Sequence, residues 1–278
     1  MSVVLITGCN SGFGFHASLT FARQGHDVFA TVRNLDRAEP LRAAAKDEDL
    51  ELHVLRLDVC DADSVEGAVA EVVERAGRID VCVNNAGIEL RGPIEDCSDD
   101  EMLIQFDTNV FGLVRVIRAV LPIMRAQEAG VIVNVGSLAG LVARPYGGLY
   151  SATKHAVEAI SEALHYECAP FGVRVAVLEP GQFETDLLKN AIVAARFNDE
   201  SVYKASSDHF DAALQRLAPD GRQPPEVVAE AIVAVAEDDD AVLRHVIGAD
   251  AELVWSVRSG STFEQYEQTI RAALDWWE

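Results

Sequence analysis

Basic side chains are scarce in this 278-residue sequence, in which 45 aspartates and glutamates outnumber 23 lysines and arginines. The formal net charge of −22 repels phosphate backbones and anionic lipid, so we expect neither nucleic acid nor a membrane as a partner. Cysteine pairs are missing as well. The five cysteines occur singly, without Cys-x-x-Cys spacing, which predicts free thiols in a reducing cytoplasm and excludes a disulfide scaffold.

Metal-ligand spacings and long apolar runs are also absent. The seven histidines include no His-Glu-x-x-His pattern, so no metal site is predicted. The apolar stretch after Val110 is interrupted at Arg115 and again at Arg118, which leaves it far short of a membrane span. No basic segment precedes an apolar core at the N-terminus, and we therefore expect a cytoplasmic protein without a signal peptide.

Strand-like and helical patterns alternate along the chain. Apolar runs typical of buried strands occupy residues 3–7, 27–32, 51–59, 79–84, 130–136, 172–178 and 241–247. Helical patterns occupy residues 13–24, 35–46, 61–76, 98–127, 149–170 and 224–237, and a last one runs from residue 262 through Trp276 and Trp277. This order predicts one α/β domain over residues 1–278, with a Rossmann-like, doubly wound parallel sheet and helices on both faces. Residues 186–223 lack clear periodicity and are predicted to form a substrate lid.

A glycine-rich turn joins the first predicted strand to the first helix. Because glycine has no side chain, the backbone there can approach a pyrophosphate closely, and the helix N-terminus favours the anion. The spacing is Gly-x-x-x-Gly-x-Gly, and glycines also serve tight turns without a ligand, but the position between strand and helix favours a dinucleotide. The predicted cofactor-binding residues of this turn are Gly8, Asn10, Ser11, Gly12, Phe13 and Gly14.

The end of the second strand predicts which dinucleotide is preferred. NAD-specific folds place an acidic residue there, which accepts hydrogen bonds from the ribose and repels a 2′-phosphate. In this chain Val32 occupies that position and Arg33, a forked donor matched to phosphate oxygens, follows it. We therefore expect NADP(H) to be preferred, with NAD(H) use possible. The alternative is that Arg33 stacks on the adenine or points to solvent.

Tyr150 and Lys154 lie four residues apart on one helical face, directly after the fifth strand. That position is the carboxyl edge of the sheet, where doubly wound folds bind ligands, although such a pair is also common on solvated faces. A nearby ammonium group would lower the tyrosine pKa from about 10 towards neutrality. Ser137 also follows the fifth strand and can hydrogen-bond the same substrate oxygen. Asn109, within an apolar helical stretch, is either a satisfied buried amide or part of this site.

Together with further motifs, these residues resemble the short-chain dehydrogenase/reductase family over about residues 3–185. Within that family, the stretches LITGCNSGFG, VFATVRN and FDTNVFGLVRVIRAVLPIM resemble the 17-beta-hydroxysteroid and retinol dehydrogenase group. The further motifs are Asp58-Val59, Asn84-Asn85-Ala86-Gly87 and Pro180-Gly181-x-x-x-Thr185. The resemblance implies a hydride-transferring oxidoreductase that uses a nicotinamide cofactor. It also implies the remaining cofactor-binding residues, which are Asp58, Val59, Asn85, Ala86, Gly87, Tyr150, Lys154, Pro180, Phe183 and Thr185.

The resemblance assigns roles to four catalytic residues, Asn109, Ser137, Tyr150 and Lys154. Tyr150 is the general acid in carbonyl reduction and the base in alcohol oxidation, and Ser137 orients the substrate oxygen. Lys154 holds the nicotinamide ribose and lowers the Tyr150 pKa. Asn109 fixes a water that relays protons from Lys154 to solvent.

The residues expected around the reacting centre are mostly apolar, which predicts a hydrophobic ketone, aldehyde or alcohol as substrate. The predicted substrate contacts are Ser137, Leu141, Tyr146, Tyr150 and Leu187. Arg144 and Lys189 are either surface cations or contacts for an acidic substrate. A 3-oxoacyl thioester reductase is an alternative, although this acidic chain offers little basic surface for a carrier. A dinucleotide sensor without turnover is another, and the complete set of catalytic residues argues against it.

The two longest predicted helices, residues 98–127 and 149–170, carry more apolar residues than one sheet face would cover. These residues include Val110, Leu113, Val114, Ile117, Val157, Ile160 and Leu164. In relatives of this kind the corresponding helices pack against their symmetry mates. We therefore expect a homodimer or homotetramer with two-fold symmetry.

Overall fold

Seven parallel strands form the central sheet of the protein, whose computed structural model describes residues 1–187, 189–217 and 221–275. The strands are β1 Val3–Ile6, β2 Asp27–Val32, β3 His53–Arg56, β4 Val81–Asn84, β6 Gly130–Val135, β7 Val173–Pro180 and β9 Arg244–Ile247. They lie in the order β3-β2-β1-β4-β6-β7-β9. Two short strands, β5 Leu90–Arg91 and β8 Ile192–Val193, pair with each other outside this sheet.

Helices cover both faces of the sheet. They are α1 Gly12–Arg23, α2 Glu39–Asp47, α3 Ala62–Ala76, α4 Asp99–Phe106, α5 Gly112–Gln127, α6 Gly148–Cys168, α7 Lys204–Leu217, α8 Glu226–Glu237, α9 Ala249–Ser259 and α10 Phe263–Leu274. Buried side chains of α1, α2 and α8 form one apolar layer against the sheet, and those of α3, α5 and α6 form the other. The predicted doubly wound, Rossmann-like fold class is therefore confirmed.

The strand order reverses between β1 and β4, which are neighbours in the sheet. From this point β2 and β3 extend to one side, and β6, β7 and β9 extend to the other. Loops that leave the carboxyl ends of such strands diverge and open a crevice, which is where doubly wound folds bind ligands. The glycine-rich turn after β1 and the segments after β4 and β6 all begin at this edge.

The long helix predicted over residues 98–127 is interrupted. Ser98 caps α4 in a capping box with Glu101, and a wider π-helical turn at Asp107–Phe111 then separates α4 from α5. Gly112 follows this turn and lies so close to Val59 that a Cβ would come within 2.8 Å of the valine side chain. Apolar periodicity runs through this segment without a break, and for this reason it does not reveal the interruption.

Other element boundaries also differ from the predictions. Residues 35–46 form a short 3-10 turn, Leu35–Arg37, followed by α2, because Pro40 suits only the first turn of a helix. The third strand begins at His53 and not at residue 51. Helix α9 was not predicted, and Trp276 and Trp277 lie outside the described residues.

The segment predicted as a lid contains regular structure. β8 pairs with β5, and α7 packs with α10 through a small apolar cluster that includes Phe210 and Leu274. Polar contacts fasten this segment to the loop before α4: Ser201 donates to Asp96 at 2.5 Å, and the Tyr203 hydroxyl donates to Glu95 at 2.5 Å. Residue 188 and residues 218–220 of the predicted lid lie outside the described residues.

None of the five cysteines forms a disulfide, as predicted. Burial raises the pKa of Cys9 and of Cys82 to about 12, which keeps both thiols protonated and unreactive at neutral pH. Among helices in the described part of the chain, none is both long and apolar enough to cross a bilayer.

Candidate active site

The turn after β1 has the backbone shape expected for a phosphate cradle. Gly8 and Gly12 adopt φ angles of +72° and +61°, a region that favours glycine. At Gly14 a Cβ would come within 2.5 Å of the Asn85 amide and 2.7 Å of the Gly8 carbonyl. Ser11 is the N-cap residue of α1, yet its side chain makes no capping hydrogen bond. The first N–H groups of α1 are thus left for an anion, which fits the pyrophosphate of a dinucleotide.

Thr7 and Asn85 hold this turn against the segment that follows β4. The Thr7 hydroxyl oxygen accepts the main-chain N–H groups of Asn85 and Ala86, each at 3.0 Å. The Asn85 side-chain amide donates in return to the carbonyls of Thr7 and Gly8, at 2.9 and 3.1 Å. Asn85 therefore shapes the cradle through hydrogen bonds. Asn85 was predicted as a cofactor contact, and Thr7 was not among the predicted site residues.

Two residues at the end of β2 occupy contrasting environments. Val32 is buried, with 1% of its surface exposed. Arg33 is exposed and makes no hydrogen bond or ion pair within the described residues. The guanidinium group is therefore available to a ligand at the same edge of the sheet as the glycine turn.

Asp58 and Val59 lie just beyond β3. The Asp58 carboxylate accepts the Cys60 N–H at 3.0 Å and so shapes its own turn. Val59 is buried, and its carbonyl accepts a hydrogen bond from Arg115 at 3.1 Å. The Asp58 side chain and the Val59 carbonyl thus both make hydrogen bonds within the protein. A ligand at this edge of the sheet would contact the turn that contains them.

Asn109 lies in the π-helical turn and is fully hydrogen-bonded. Its amide donates to the Ile88 carbonyl at 2.9 Å and to the Thr153 hydroxyl at 3.1 Å, and its oxygen accepts the Ile88 N–H at 2.8 Å. Gly87 lies against the same side chain, 3.4 Å from Asn109 to the position of a Cβ. Asn109 therefore ties the segment after β4 to α6, as a satisfied buried amide that also contacts the helix of Tyr150 and Lys154.

Ser137 and Tyr150 are brought together at the carboxyl end of β6. The Ser137 side chain accepts the Ala139 N–H at 3.1 Å and lies close enough to the Tyr150 hydroxyl to lower the pKa of that group. Tyr150 is 7% exposed, in the first turn of α6. This geometry places two hydroxyl groups where one carbonyl oxygen can meet both.

The Tyr150 pKa does not move in the expected direction. Burial and then the Glu89 carboxylate raise the pKa of Tyr150 above its usual value of 10, while the hydrogen bond to Ser137 and the Arg144 charge oppose the change. The expectation that Lys154 lowers this pKa to neutrality is therefore wrong for the chain itself, because burial and the Glu89 charge outweigh the opposing effects of Ser137 and Arg144. The phenol keeps its proton at neutral pH.

Lys154 is buried next to Tyr150. Its Nζ donates to the Val135 carbonyl at 2.8 Å and lies 5.8 Å from the centre of the Tyr150 ring. Burial lowers the pKa of Lys154 to about 8, while the Glu179 carboxylate acts in the opposite direction. The charged and the neutral form of Lys154 are thus both populated close to physiological pH.

The segment after β7 folds back over the glycine turn. Pro180 ends β7, and Phe183 packs edge-on against Phe13 with ring centres 5.7 Å apart. Thr185 lies over Gly12, with its Cβ 3.7 Å from the position of a Gly12 Cβ. The residues predicted to hold the pyrophosphate and those predicted to orient the nicotinamide carboxamide therefore lie against each other.

The predicted substrate residues Leu141, Tyr146 and Leu187 are half-buried. Tyr146 has a φ of +57° and stacks on Phe197, with ring centres 6.2 Å apart. Its hydroxyl donates to Ser206 at 2.9 Å. Tyr146 therefore contacts the predicted lid directly.

Arg144 and Lys189, which the sequence allows as surface cations or as substrate contacts, have different surroundings. Arg144 pairs with Glu89, which is 3% exposed and raises the Tyr150 pKa. Arg144 is thus not an isolated surface cation, because its charge pairs with Glu89 and lowers the pKa of Tyr150. Lys189 is exposed and pairs with Asp186 at 3.1 Å, as a surface cation would.

Glu179 and Glu158 were missed by sequence reasoning. Glu179 is fully buried in β7, and its Oε2 accepts the Ser137 N–H at 2.9 Å. Glu158 lies one helical turn after Lys154 and is 7% exposed. A glutamate that directly follows the apolar run Val175–Leu178 and precedes Pro180 is the signal that could have identified the first of them.

Comparison with known proteins agrees with this geometry. The model of the short chain dehydrogenase family matches residues 2–194. The chain is 37% identical to 3-ketodihydrosphingosine reductase of Bacteroides thetaiotaomicron over 215 residues, covering 77% of this chain and 74% of that protein. It is 34% identical to human 17-beta-hydroxysteroid dehydrogenase type 1 over 256 residues, covering 88% and 76%. A short-chain dehydrogenase structure from Streptomyces avermitilis superposes with a TM-score of 0.80 at 32% identity, covering 98% of each chain.

Structures of similar fold include complexes with both nicotinamide dinucleotides. A Burkholderia phymatum short chain dehydrogenase/reductase bound to NAD has a TM-score of 0.80 at 25% identity, covering 96% of this chain and 95% of that one. An alcohol dehydrogenase from Thermococcus sibiricus bound to 5-hydroxy-NADP has a TM-score of 0.73 at 26% identity, covering 89% and 96%. With the parallel sheet, the glycine cradle and the family match all in agreement, the chain belongs to the short-chain dehydrogenase/reductase family of oxidoreductases.

Proposed function

We propose that this protein is an NADP(H)-dependent oxidoreductase that interconverts a hydrophobic ketone or aldehyde and its alcohol. The observation that carries this proposal is the contact between the Ser137 and Tyr150 side chains, with Lys154 buried next to Tyr150 at the carboxyl end of β6. The glycine cradle and the Thr185 side chain lie at the same edge of the sheet.

Tyr150 acts as the general acid in carbonyl reduction. Burial keeps its pKa high, so the phenol holds a proton at neutral pH and can donate it to a carbonyl oxygen as negative charge develops there. Ser137 donates a hydrogen bond to the same oxygen and fixes its position. When bound, the nicotinamide supplies the hydride in reduction and accepts it in alcohol oxidation.

Lys154 and Asn109 complete the proposed site. The Lys154 ammonium group holds the nicotinamide ribose hydroxyls and assists proton transfer through Tyr150. Asn109 fixes the segment after β4 relative to α6 through Ile88 and Thr153, and we keep the proton-relaying water beside it as part of the proposal. In this account Asn109 acts by position, because each of its polar atoms already has a protein partner.

Preference for NADP(H) is proposed from the end of β2. Val32 is apolar and buried, so no carboxylate there repels a 2′-phosphate. Arg33 is exposed and free of protein partners in the described residues, and its forked donors match phosphate oxygens. Asn10 and Ser11 lie in the neighbouring turn and can add hydrogen bonds to the same group.

A hydrophobic substrate is proposed because the predicted substrate residues Leu141, Tyr146 and Leu187 are largely apolar and only half-buried, which leaves part of each side chain open to a ligand. Two relatives are named for lipid-like ketones or alcohols, a ketodihydrosphingosine and a hydroxysteroid. Arg144 is paired with Glu89, so its charge is already neutralised and is not free to bind an acidic substrate. An apolar ketone with a single reacting carbonyl therefore suits the site better than an acid.

The proposal is tested by mixing the purified protein with NADPH and a panel of carbonyl compounds, and following NADPH absorbance. The panel contains a ketosteroid, retinal, an aryl ketone, a short keto acid and a 3-oxoacyl thioester. We expect turnover of one or more of the first three, with the keto acid at least about tenfold poorer, equivalent to about 1.4 kcal/mol in the barrier. Turnover of the thioester alone would favour the reductase alternative, and NADPH binding without any turnover would favour a dinucleotide sensor.

A further inference from the structure

Two buried carboxyl groups face each other behind Ser137. Glu179 lies in β7 with none of its surface exposed, and Glu158 lies in α6 with 7% exposed. Oε1 of each residue is buried, and neither receives a hydrogen bond from a donor in the described residues. The two carboxyl groups are nevertheless close enough that Glu158 raises the pKa of Glu179.

The second oxygen of each carboxyl group has a clear partner. Glu179 Oε2 accepts the Ser137 N–H at 2.9 Å, and Glu158 Oε2 accepts the Arg244 Nε–H at 2.5 Å. Arg244 also pairs with Glu162, which is half-exposed. The pair therefore extends from the main chain of a proposed catalytic residue to an arginine on the neighbouring strand β9.

Chemistry limits how this pair can be charged. Two carboxylates in contact cannot both be ionised at low cost, and a buried oxygen without a donor is costly to leave unpaired. One proton between the two Oε1 atoms satisfies both, as in other buried carboxyl pairs. Consistent with this, burial and Glu158 raise the pKa of Glu179 well above its usual value, while the Ser137 N–H and Lys154 oppose the rise.

We propose that Glu179 and Glu158 share one proton, and that their single negative charge keeps Lys154 in its ammonium form while Glu179 fixes the Ser137 main chain. Glu179 and Glu158 are thus positioning residues, since neither touches the reacting atoms. The contribution of this pair to catalysis rests on the proposed function. The shared proton and its effect on Lys154 are independent of that function.

The groups that face Glu179 come from three elements. From α6 they are Glu158, Lys154 and Tyr150, and from the segment after β6 the Ser137 N–H. From β9, Arg244 reaches the pair through Glu158. Among these, Lys154 is the cation that Glu179 influences directly, because Arg244 is already neutralised by Glu158 and Glu162.

Two variants of unchanged side-chain shape, Glu158→Gln and Glu179→Gln, distinguish the effect of the negative charge from that of the hydrogen bonds. In Glu158→Gln the new amide donates to Glu179, so the negative charge stays beside Lys154. In Glu179→Gln the amide oxygen still accepts the Ser137 N–H and the amide donates to Glu158, but the charge moves away to Arg244. A role that is only structural would affect both variants alike, whereas the proposed charge acts on Lys154 in the first variant and not in the second.

The test is the titration of Lys154 by NMR in protein labelled with carbon-13 at lysine, which does not depend on turnover. We expect the pKa of Lys154, about 8 in the parent, to fall by at least about one unit in Glu179→Gln and to fall by less than a few tenths of a unit in Glu158→Gln. Glu162→Gln, which removes another Arg244 partner, is the matched control and should leave the titration unchanged. Equal titrations in the parent and Glu179→Gln would overturn the proposed effect on Lys154.

Infrared spectroscopy tests the shared proton separately. At neutral pH we expect a stretching band of a protonated carboxyl group in the parent and in Glu162→Gln, and its loss in both Glu158→Gln and Glu179→Gln. Absence of the band in the parent, or its survival in both variants, would overturn the shared proton. If these results hold and no carbonyl compound is reduced, the proposed function fails while the carboxyl pair stands.

Discussion

The Lys154 ammonium group is held by the last residue of β6, since Nζ donates to the Val135 carbonyl at 2.8 Å, with the Tyr150 ring centre 5.8 Å away. A cation at this position is largely removed from water, and within the described residues it donates to a single acceptor, the Val135 carbonyl. A buried charge of this kind lowers the free energy of unfolding, so Lys154 contributes to activity at the expense of stability. The first prediction follows from this cost.

Lys154→Met should stabilise the protein without its dinucleotide while removing activity. Burial lowers the pKa of Lys154 from 10.5 to about 8, so between these values the unfolded chain binds more protons and the parent's stability rises with pH. At pH 7 the variant should gain about 1–3 kcal/mol in the free energy of unfolding by urea, and the gain should shrink towards pH 10.5. Lys189→Met, at an exposed position, should change stability by less than about 0.5 kcal/mol. A less stable Lys154→Met at pH 7 would contradict the argument.

Gly14→Ala should impair dinucleotide binding. The added Cβ would come within 2.5 Å of the Asn85 amide and 2.7 Å of the Gly8 carbonyl, so the cradle must shift. We expect NADPH affinity, measured by fluorescence, to fall at least about tenfold, or 1.4 kcal/mol. Gly67→Ala is the control, because its Cβ meets nothing within 4 Å in helix α3 and should leave binding unchanged. Parent-like affinity in Gly14→Ala would show that the cradle tolerates the side chain.

Cofactor preference should follow the two residues at the end of β2. We expect the parent to have a higher kcat/KM with NADPH than with NADH. Arg33→Ala should lose at least about tenfold with NADPH and change little with NADH, because only the 2′-phosphate contact is removed. Val32→Asp should shift the preference towards NADH by adding repulsion. Equal or better use of NADH by the parent would refute the assignment.

Self-association is proposed through the helices around α4, α5 and α6, but its residue basis differs from the one predicted. Most of the apolar residues first named, such as Leu113 and Val157, are buried within the chain itself. Leu103, Ile104 and Phe111 are instead 57%, 51% and 50% exposed on the α4–α5 segment. We propose that this face forms a two-fold interface in a homodimer or homotetramer.

Light scattering at micromolar concentration tests this interface. We expect a mass at least twice that of the monomer for the parent and a lower mass for Phe111→Asp, since the added charge would be desolvated at the interface. Val202→Asp, at a position 86% exposed elsewhere, should keep the parent mass. A monomeric parent would rule the interface out.

The sheet and the glycine cradle were predictable because local patterns determine them. Apolar runs indicated all seven strands of the main sheet, and the glycines between the first strand and helix indicated the cradle. The Tyr150 and Lys154 spacing was equally local, since residues four apart share a helical face. These features need no knowledge of distant contacts.

Contacts between distant segments explain what was missed. The pairing of Glu158 with Glu179 depends on how α6 packs against β7, and that of Arg144 with Glu89 depends on the loop after β4. The upward shift of the Tyr150 pKa depends on burial together with the Glu89 charge, which spacing does not reveal. Element boundaries such as the π-helical turn depend on close approach to Val59 and on the bonds of Asn109.

The most direct test of the proposed function is Tyr150→Phe, because this variant removes only the transferable proton. NADPH consumption and alcohol formation are measured together for parent and variant with the best ketone of the panel, and NADPH binding is followed separately by fluorescence. We predict equal amounts of NADPH consumed and alcohol formed by the parent, a fall in kcat of at least about 100-fold in the variant, and unchanged NADPH affinity. A Tyr150→Phe enzyme that keeps more than about a hundredth of the parent kcat would contradict Tyr150 as the general acid and with it the proposed mechanism.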